Sequence, residues 1–345
     1  MTRVRAATAE AIAEAAALLA AGELVAIPTE TVYGLAGSAT DERALAKIFA
    51  AKERPTFDPL IVHVAAGAAS VEALVGAGLV GALRPAARVR ADALLRAFAP
   101  GPLTLVLPRG PRVPDLATSG LPTVAVRSPR HPVAQALLAA AGPLAAPSAN
   151  RFGRISPTSA ADVVAELAGR VELVLDGGPC DVGVESTVVA VEDDGALTLL
   201  RPGGVASSRI EAIAPVGRAP AGVRAPGMLP GHYAPAKRLV LLAAPVAELA
   251  RPPAEAAGAA RLGLLAFAEG AGERFAALCG REVRARILPA DAEGAARGLF
   301  AALRALDAGD AEILFAEPFA SSPGGLGHAI ADRLARAARG TLPAS

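Results

Sequence analysis

Residues 214–237, APVGRAPAGVRAPGMLPGHYAPAK, carry five prolines and four glycines. Proline lacks a backbone donor and glycine loses the most freedom on ordering, so this stretch is expected to hold no regular element. It splits a chain of 345 residues into two parts of ordinary domain size. We place a first domain at 1–205, a linker at 206–237 and a second domain at 238–345. The linker also holds Met228, His232 and Tyr233, in a chain with two methionines, four histidines and two tyrosines. A plain spacer has no need of them, so the linker is expected to act as a lid.

Ahead of the linker, short apolar runs rich in β-branched residues alternate with segments of helical period. Residues 8–21 and 41–52 read as helices. LVAIP (24–28), PLIVHV (59–64), LTLVL (103–107), TVAVR (123–127), VELVL (171–175), STVVAV (186–191) and ALTLL (196–200) read as strands bounded by Gly or Pro. This predicts an α/β domain with a mixed sheet and flanking helices. After residue 238 the order is RLVLLA, helix, RLGLLAF, helix, VRARILP, a long helix at 291–307, EILFAEP and a last helix at 328–338. That spacing predicts a small, parallel, Rossmann-like α/β domain.

Several function classes lose support at once. A formal net charge of +1 with 3% aromatic residues argues against an RNA-binding module that works through bulk charge and base stacking. Cys180 and Cys279 are far apart and form no CxxC, which argues against a disulfide framework or zinc site and fits a reducing, cytoplasmic compartment. Glu10 and Glu14 interrupt the N-terminal alanine run, so an ordinary helix is expected there rather than a targeting segment. The longest uncharged run, 131–150, contains three prolines and is not expected to span a membrane. Each of the three lysines is followed by a residue other than Ser or Thr, so no Walker A loop exists. Gly76, Gly78 and Gly81 match GxGxxG but follow a helical segment rather than a strand. No GxSxG, SxxK or HExxH occurs, and the four histidines form no ligand cluster.

Scarcity points to the candidate site. Lys47, Lys52 and Lys237 are the only lysines among 34 basic residues, and Asn150 is the single asparagine. Small hydroxyls, cations and these scarce types concentrate in PTETVYG (28–34), KERPTFDPLIVH (52–63), PSANRFGRISPT (147–158) and GVESTV (183–188). Each segment lies at or beside a strand end, where α/β sheets gather their sites. Lys52 and Arg54 just after a helix could clamp a polyphosphate, Arg as a fork and Lys as a point charge. They could equally be a solvated helix end favoured by the macrodipole. Ser148 and Asn150 offer a hydroxyl and an amide, or simply a turn.

In order and spacing, PTETVYGL, the Lys-x-Arg-Pro…DPLIVH stretch, PGPLTLVL, TVAVR, PSAN…SPT, GVESTV and LLRPG resemble the YrdC-like threonylcarbamoyl-AMP synthase family. The linker segment APGMLPGHYAP and the C-terminal part resemble the long, two-domain form. The resemblance implies a YrdC-like twisted mixed sheet with flanking helices and a nucleotidyltransferase reaction. Threonine's amine captures bicarbonate as a carbamate with loss of water. A carbamate oxygen attacks the α-phosphorus of ATP, and pyrophosphate leaves. The product would pass to a tRNA threonylcarbamoyl-transfer assembly for threonylcarbamoyladenosine (t6A) at position 37 of tRNAs reading ANN codons. Whether tRNA touches this chain is left open.

The same resemblance implies residue roles. Lys52, Arg54, Ser148 and Asn150 would form the catalytic core and, with Asp58, Thr123, Ser156, Arg201 and Tyr233, the ATP site. Thr29, His63, Arg127, Ala146 and Ser186 would hold L-threonine. Mg²⁺ would accompany the triphosphate, held by phosphate and water rather than a protein cage. Two positions depart from the family. Asp58 stands where many members have Asn, and Ala99 where many have Trp. An anionic Asp58 would repel phosphate unless it faces a cation such as Arg54 or Mg²⁺. A carbamoyl transferase sharing the YrdC-like domain is the neighbouring alternative, but it would carry zinc-finger regions that two cysteines cannot supply.

Overall fold

A computed structural model describes residues 1–218, 231–320 and 325–340. The chain divides into two compact units, Met1–Phe152 with Pro157–Leu229, and Gly153–Ser156 with Pro230–Ser345. The short segment 153–156, early in the sequence, therefore belongs with the C-terminal unit.

The first unit is built on a mixed sheet, eleven-stranded among the described residues. Its centre carries the candidate site. There β2 (Val25–Ile27), β3 (Gly34–Ser38), β4 (Ile61–His63), β5 (Leu103–Pro108), β6 (Thr123–Arg127), β7 (Leu144–Ala145), β9 (Thr187–Val191) and β10 (Leu197–Arg201) run in the order β2-β3-β7-β4-β6-β5-β9-β10. Most of these strands are short and buried on both faces, which is why they read as continuous apolar runs rather than alternating ones, but β3, with Gly34, Gly37 and Ser38, carries no such run and was not expected. The edges were harder to foresee. Strand β1 (Arg3–Ala6) pairs with β8 (Leu173–Asp176), yet its residues are all exposed and show no apolar pattern.

One expectation is corrected at the other edge. Residues Val216–Arg218 form β11, parallel to β10, inside the stretch read as unable to hold an element. An edge strand tolerates a preceding proline and an interior glycine because one side of its ladder needs no partner. Residues 219–230, Met228 included, lie outside the described residues, and so does that part of the expected lid.

After α1 (Ala9–Ala20), helix α2 (Glu42–Lys52) delivers the Lys-x-Arg pair. Asp41 caps its start by accepting from the Arg43 N–H. Its end is set by Glu53, a non-glycine residue at φ 52°, and the Arg54 N–H returns to the Phe49 carbonyl. The left-handed turn reverses the chain, so Lys52 and Arg54 leave the helix in different directions.

The second unit holds a parallel four-stranded sheet of order β12-β15-β13-β14, with β12 Leu239–Leu241, β13 Arg261–Ala266, β14 Glu282–Ile287 and β15 Ile313–Ala316. Helices Ala271–Cys279, Ala292–Ala308 and Leu326–Ala337 serve it. The helix expected between β12 and β13 is absent. That crossover has only 3₁₀ turns at Val246–Glu248 and Ala254–Gly258, separated by Pro252 and Pro253, which cannot donate to a helical ladder.

Candidate active site

The PTETVYG loop links antiparallel strands β2 and β3 and is buried along its length. Thr29 organises it. Its hydroxyl donates to the Val32 carbonyl at 2.6 Å and accepts from the Thr31 and Val32 N–H groups. The loop lies against the PSAN segment, since Leu35 N–H donates to Pro147 O and Ala149 N–H donates to Tyr33 O. Gly34 permits this approach, because a Cβ there would come within 3.2 Å of the Ala146 Cβ.

Lys52 is 1% exposed, and its ammonium donates to the carbonyls of Ser148 and Asn150, both at 2.5 Å. The Phe152 N–H returns to the Lys52 carbonyl at 2.7 Å. Lys52 therefore staples the Ser-x-Asn loop through its backbone. Burial, then the neighbouring Arg54 charge, push the Lys52 amine well below its ordinary value. Arg54 folds onto its own loop. Its Nε donates to the Asp58 carbonyl at 3.0 Å, Nη2 donates to the Pro59 carbonyl at 2.7 Å, and Nη2 meets Asp58 Oδ2 at 2.9 Å.

On the sheet, strand register does the positioning. His63 on β4 lies beside Arg127 on β6, and Thr104 on β5 lies opposite Arg127. Thr104 also pairs with Val188 of β9, which carries Ser186 to within 2.8 Å of the Thr104 hydroxyl. A register shift between Leu199 and Arg201 sets Arg201 opposite Val188. Arg201 Nη2 then donates to both the carbonyl and hydroxyl of Ser186, at 3.0 and 3.1 Å. By period-two alternation Thr104, Arg127 and His63 share one face with Ile61, Val106, Ala125, Val188 and Ala190, which form a small apolar floor. Thr123 is on that face too, but at the opposite end of β6 from Arg127, about 13 Å away at ~3.3 Å per residue.

Beside Thr104, sequence reasoning passed over Glu30 and Thr31, which complete the cluster. Glu30 is 1% exposed and pairs with Arg127 Nη2 at 2.8 Å, while the Arg130 N–H donates to its other oxygen at 3.0 Å. Arg127 Nη1 donates to the Thr31 hydroxyl at 2.9 Å. Burial raises the Glu30 carboxyl, but Arg127, through charge and hydrogen bond, outweighs it and holds the group below its ordinary range. The available signal was a carboxylate just after a fully buried strand, in a loop otherwise free of charge. His63 is driven the other way. Burial first, and then Arg127, push it down to about 3, so its imidazole is neutral. Its Nδ1 lies 3.1 Å from the Ile61 carbonyl, which can only accept. The proton therefore sits on Nδ1 and leaves Nε2 as an acceptor.

Thus Thr29, His63, Arg127, Ala146 and Ser186 gather around the β4–β6–β5–β9 strand ends, with Ala146 N–H donating to Ile61 O. Lys52, Arg54, Asp58, Ser148 and Asn150 gather at the end of α2, and Asp58 feels the charges of Arg54, Lys52 and Arg201. Ser156 and Tyr233 fall in the second unit. There Tyr233, buried and at φ 65°, stacks on Phe300 at 5.7 Å, with His232 against its edge at 4.2 Å and Arg333 over its ring at 5.1 Å.

Fold and site together define an α/β protein with a buried cationic site that uses no P-loop. Residues 17–203 match the Sua5/YciO/YrdC family, described as "Telomere recombination", and residues 205–339 match "Threonylcarbamoyl-AMP synthase, C-terminal domain". The chain belongs to the long, two-domain threonylcarbamoyl-AMP synthase family. It is 41% identical to the threonylcarbamoyl-AMP synthase of Bacillus subtilis, over 96% of this chain and 94% of that relative. It is 38% identical to the one from Pyrococcus abyssi, over 94% and 92%. The solved structure of P. abyssi Sua5 complexed with L-threonine superposes with a TM-score of 0.82 at 36% identity, covering 98% of this chain and 97% of that one. A C-terminal threonylcarbamoyl-AMP synthase domain leaves no place for the carbamoyl transferase alternative. Among the described residues no helix is long and apolar enough to cross a membrane.

Proposed function

We infer that the chain joins L-threonine, bicarbonate and ATP into threonylcarbamoyl-AMP, releasing pyrophosphate and water, and so supplies the t6A modification of tRNA. Near-full-length relatives named for this activity support that reading, as does the relative's complex with L-threonine. The observation that carries it in this chain is the shared sheet face. His63, Arg127, Thr104 and Ser186 sit at one end of it, and Thr123 at the far end.

Threonine binds at the β4–β6–β5 end. Its carboxylate meets the Arg127 guanidinium, which Glu30 and Thr31 hold in place. The neutral His63 offers Nε2 to the threonine hydroxyl or amine. The triphosphate lies toward Arg54, Ser148, Asn150 and Arg201, with Thr123 further along the same sheet face. Lys52 acts at one remove, holding the Ser148–Asn150 backbone so that the hydroxyl and amide face the phosphates. Transfer needs no enzyme nucleophile. The carbamate oxygen attacks the α-phosphorus, the bond to pyrophosphate breaks, and fixed cations stabilise the charge that develops. Mg²⁺ on the triphosphate would neutralise phosphate charge. No cluster of three or more metal-ligating side chains occurs among the described residues, so phosphate oxygens and water would hold it.

The test is pyrophosphate release from ATP measured with and without threonine and bicarbonate. Release that requires both is expected. Release indifferent to threonine, or none with both present, contradicts the assignment.

A further inference from the structure

Among the residues assigned to ATP phosphates, Asp58 alone carries the wrong charge. Its side chain is 0% exposed, and Arg54 beside it is 4% exposed. Oδ2 meets Arg54 Nη2 at 2.9 Å, and neither carboxylate oxygen accepts a hydrogen bond. The geometry is local and closed. Arg54 Nε and Nη2 also donate to the carbonyls of residues 58 and 59, so the guanidinium and the 58–59 turn hold each other. The neighbouring cations are committed as well, Lys52 to the Ser148 and Asn150 carbonyls and Arg201 to Ser186.

To a guanidinium, a carboxylate oxygen and a phosphate oxygen are acceptors of the same kind. Asp58 therefore occupies Arg54 as a resident anion, and an incoming phosphate must share the guanidinium with it or displace it. Asn at this position would keep the shape and the carbonyl acceptor but remove the charge. We propose that Asp58 is an affinity-setting residue: its carboxylate competes with ATP phosphate for Arg54, so that ATP and product pyrophosphate are both held more loosely. This rests on the reading that Arg54 faces the phosphates.

The experiment is calorimetric titration of the full chain and its Asp58→Asn variant with ATP, pyrophosphate and threonine, each in Mg²⁺ and again in EDTA. Asp58→Asn is expected to tighten ATP and pyrophosphate about five- to tenfold, the scale of one partly screened charge pair. Threonine affinity should be unchanged, which a general repair of the fold would not produce. The KM for ATP should fall while the KM for threonine stays fixed. Unchanged or weaker ATP binding overturns the proposal. Weakening seen only in Mg²⁺ overturns it too, because Asp58 would then be a metal ligand. Arg54→Ala titrated in parallel separates the two readings. If it binds ATP like the parent chain, the phosphate assignment of Arg54 has failed. If it binds ATP more weakly while Asp58→Asn does not bind it more tightly, only the competition has failed.

Discussion

Arg127 and Arg54 are both buried, and each is paired with a buried carboxylate, yet the two pairs are built differently. Glu30 has Arg127 and, in addition, the Arg130 N–H. Asp58 has Arg54 and no hydrogen bond. The outcome reverses. Burial pushes both carboxyls up, but Arg127 brings Glu30 below its ordinary range, whereas Arg54, Lys52 and Arg201 together leave Asp58 above it. Nearness of positive charge does not by itself settle a buried carboxylate. For Glu30 the Arg127 charge comes first and hydrogen bonds add to it, whereas Asp58 has charges alone to meet its desolvation cost. The anion on the threonine side thus has a backbone hydrogen bond beside its charge pair, and the anion on the phosphate side has none.

The largest expected effect is on stability. Arg127→Ala leaves the buried Glu30 carboxylate with only the Arg130 N–H and should cost about 3–5 kcal/mol in a urea titration. Arg54→Ala should cost clearly less, since Asp58, already disposed to hold its proton, can neutralise. Equal losses would erase the distinction between the pairs.

Next comes turnover. Arg54→Ala should lower threonine-dependent pyrophosphate release by roughly 10²-fold, the scale of removing one charge-stabilising donor. Lys52→Ala should fall at least as far, because it frees the Ser148–Asn150 backbone as well as removing a charge. Near-parental rates in either variant would remove the phosphate side from the chemistry.

The smallest effect is a difference of sign with pH. Glu30 has a folded-state pKa below its unfolded value. The stability it contributes is present above roughly pH 4.3 and is lost as pH falls through the folded value. Asp58 has a folded-state pKa above its unfolded value, so it weakens the fold as pH rises from roughly 3.9 to that folded value, and by a constant amount beyond. Relative to the parent chain, Glu30→Gln should therefore recover stability on acidification, and Asp58→Asn should gain stability as pH rises. Parallel curves for the two variants would show that the pairs titrate alike.

Much of this was legible in the sequence. Fully buried central strands announce themselves as β-branched runs, and scarce Lys and Asn marked Lys52 and Asn150. The partners did not. That Lys52 grips two backbone carbonyls depends on the left-handed turn at Glu53, and that Arg201 reaches Ser186 depends on a register shift in β10. Neither leaves a mark in composition. Glu30 was passed over because nothing local shows that Arg127, distant in sequence, pairs with it. Strands β1 and β11 were missed because an exposed or Gly-containing edge strand lacks the apolar signal that most central strands carry, and central β3 was missed because Gly34, Gly37 and Ser38 break its apolar run.

Crossed calorimetry tests the division of the site most directly, with ATP and threonine titrated separately into Arg54→Lys and Arg127→Lys. Lysine keeps the charge but loses the two-pronged geometry. Arg54→Lys is expected to weaken ATP and spare threonine, and Arg127→Lys to weaken threonine and spare ATP. If both variants weaken both ligands equally, or the pattern is reversed, the assignment of one arginine to each substrate is wrong.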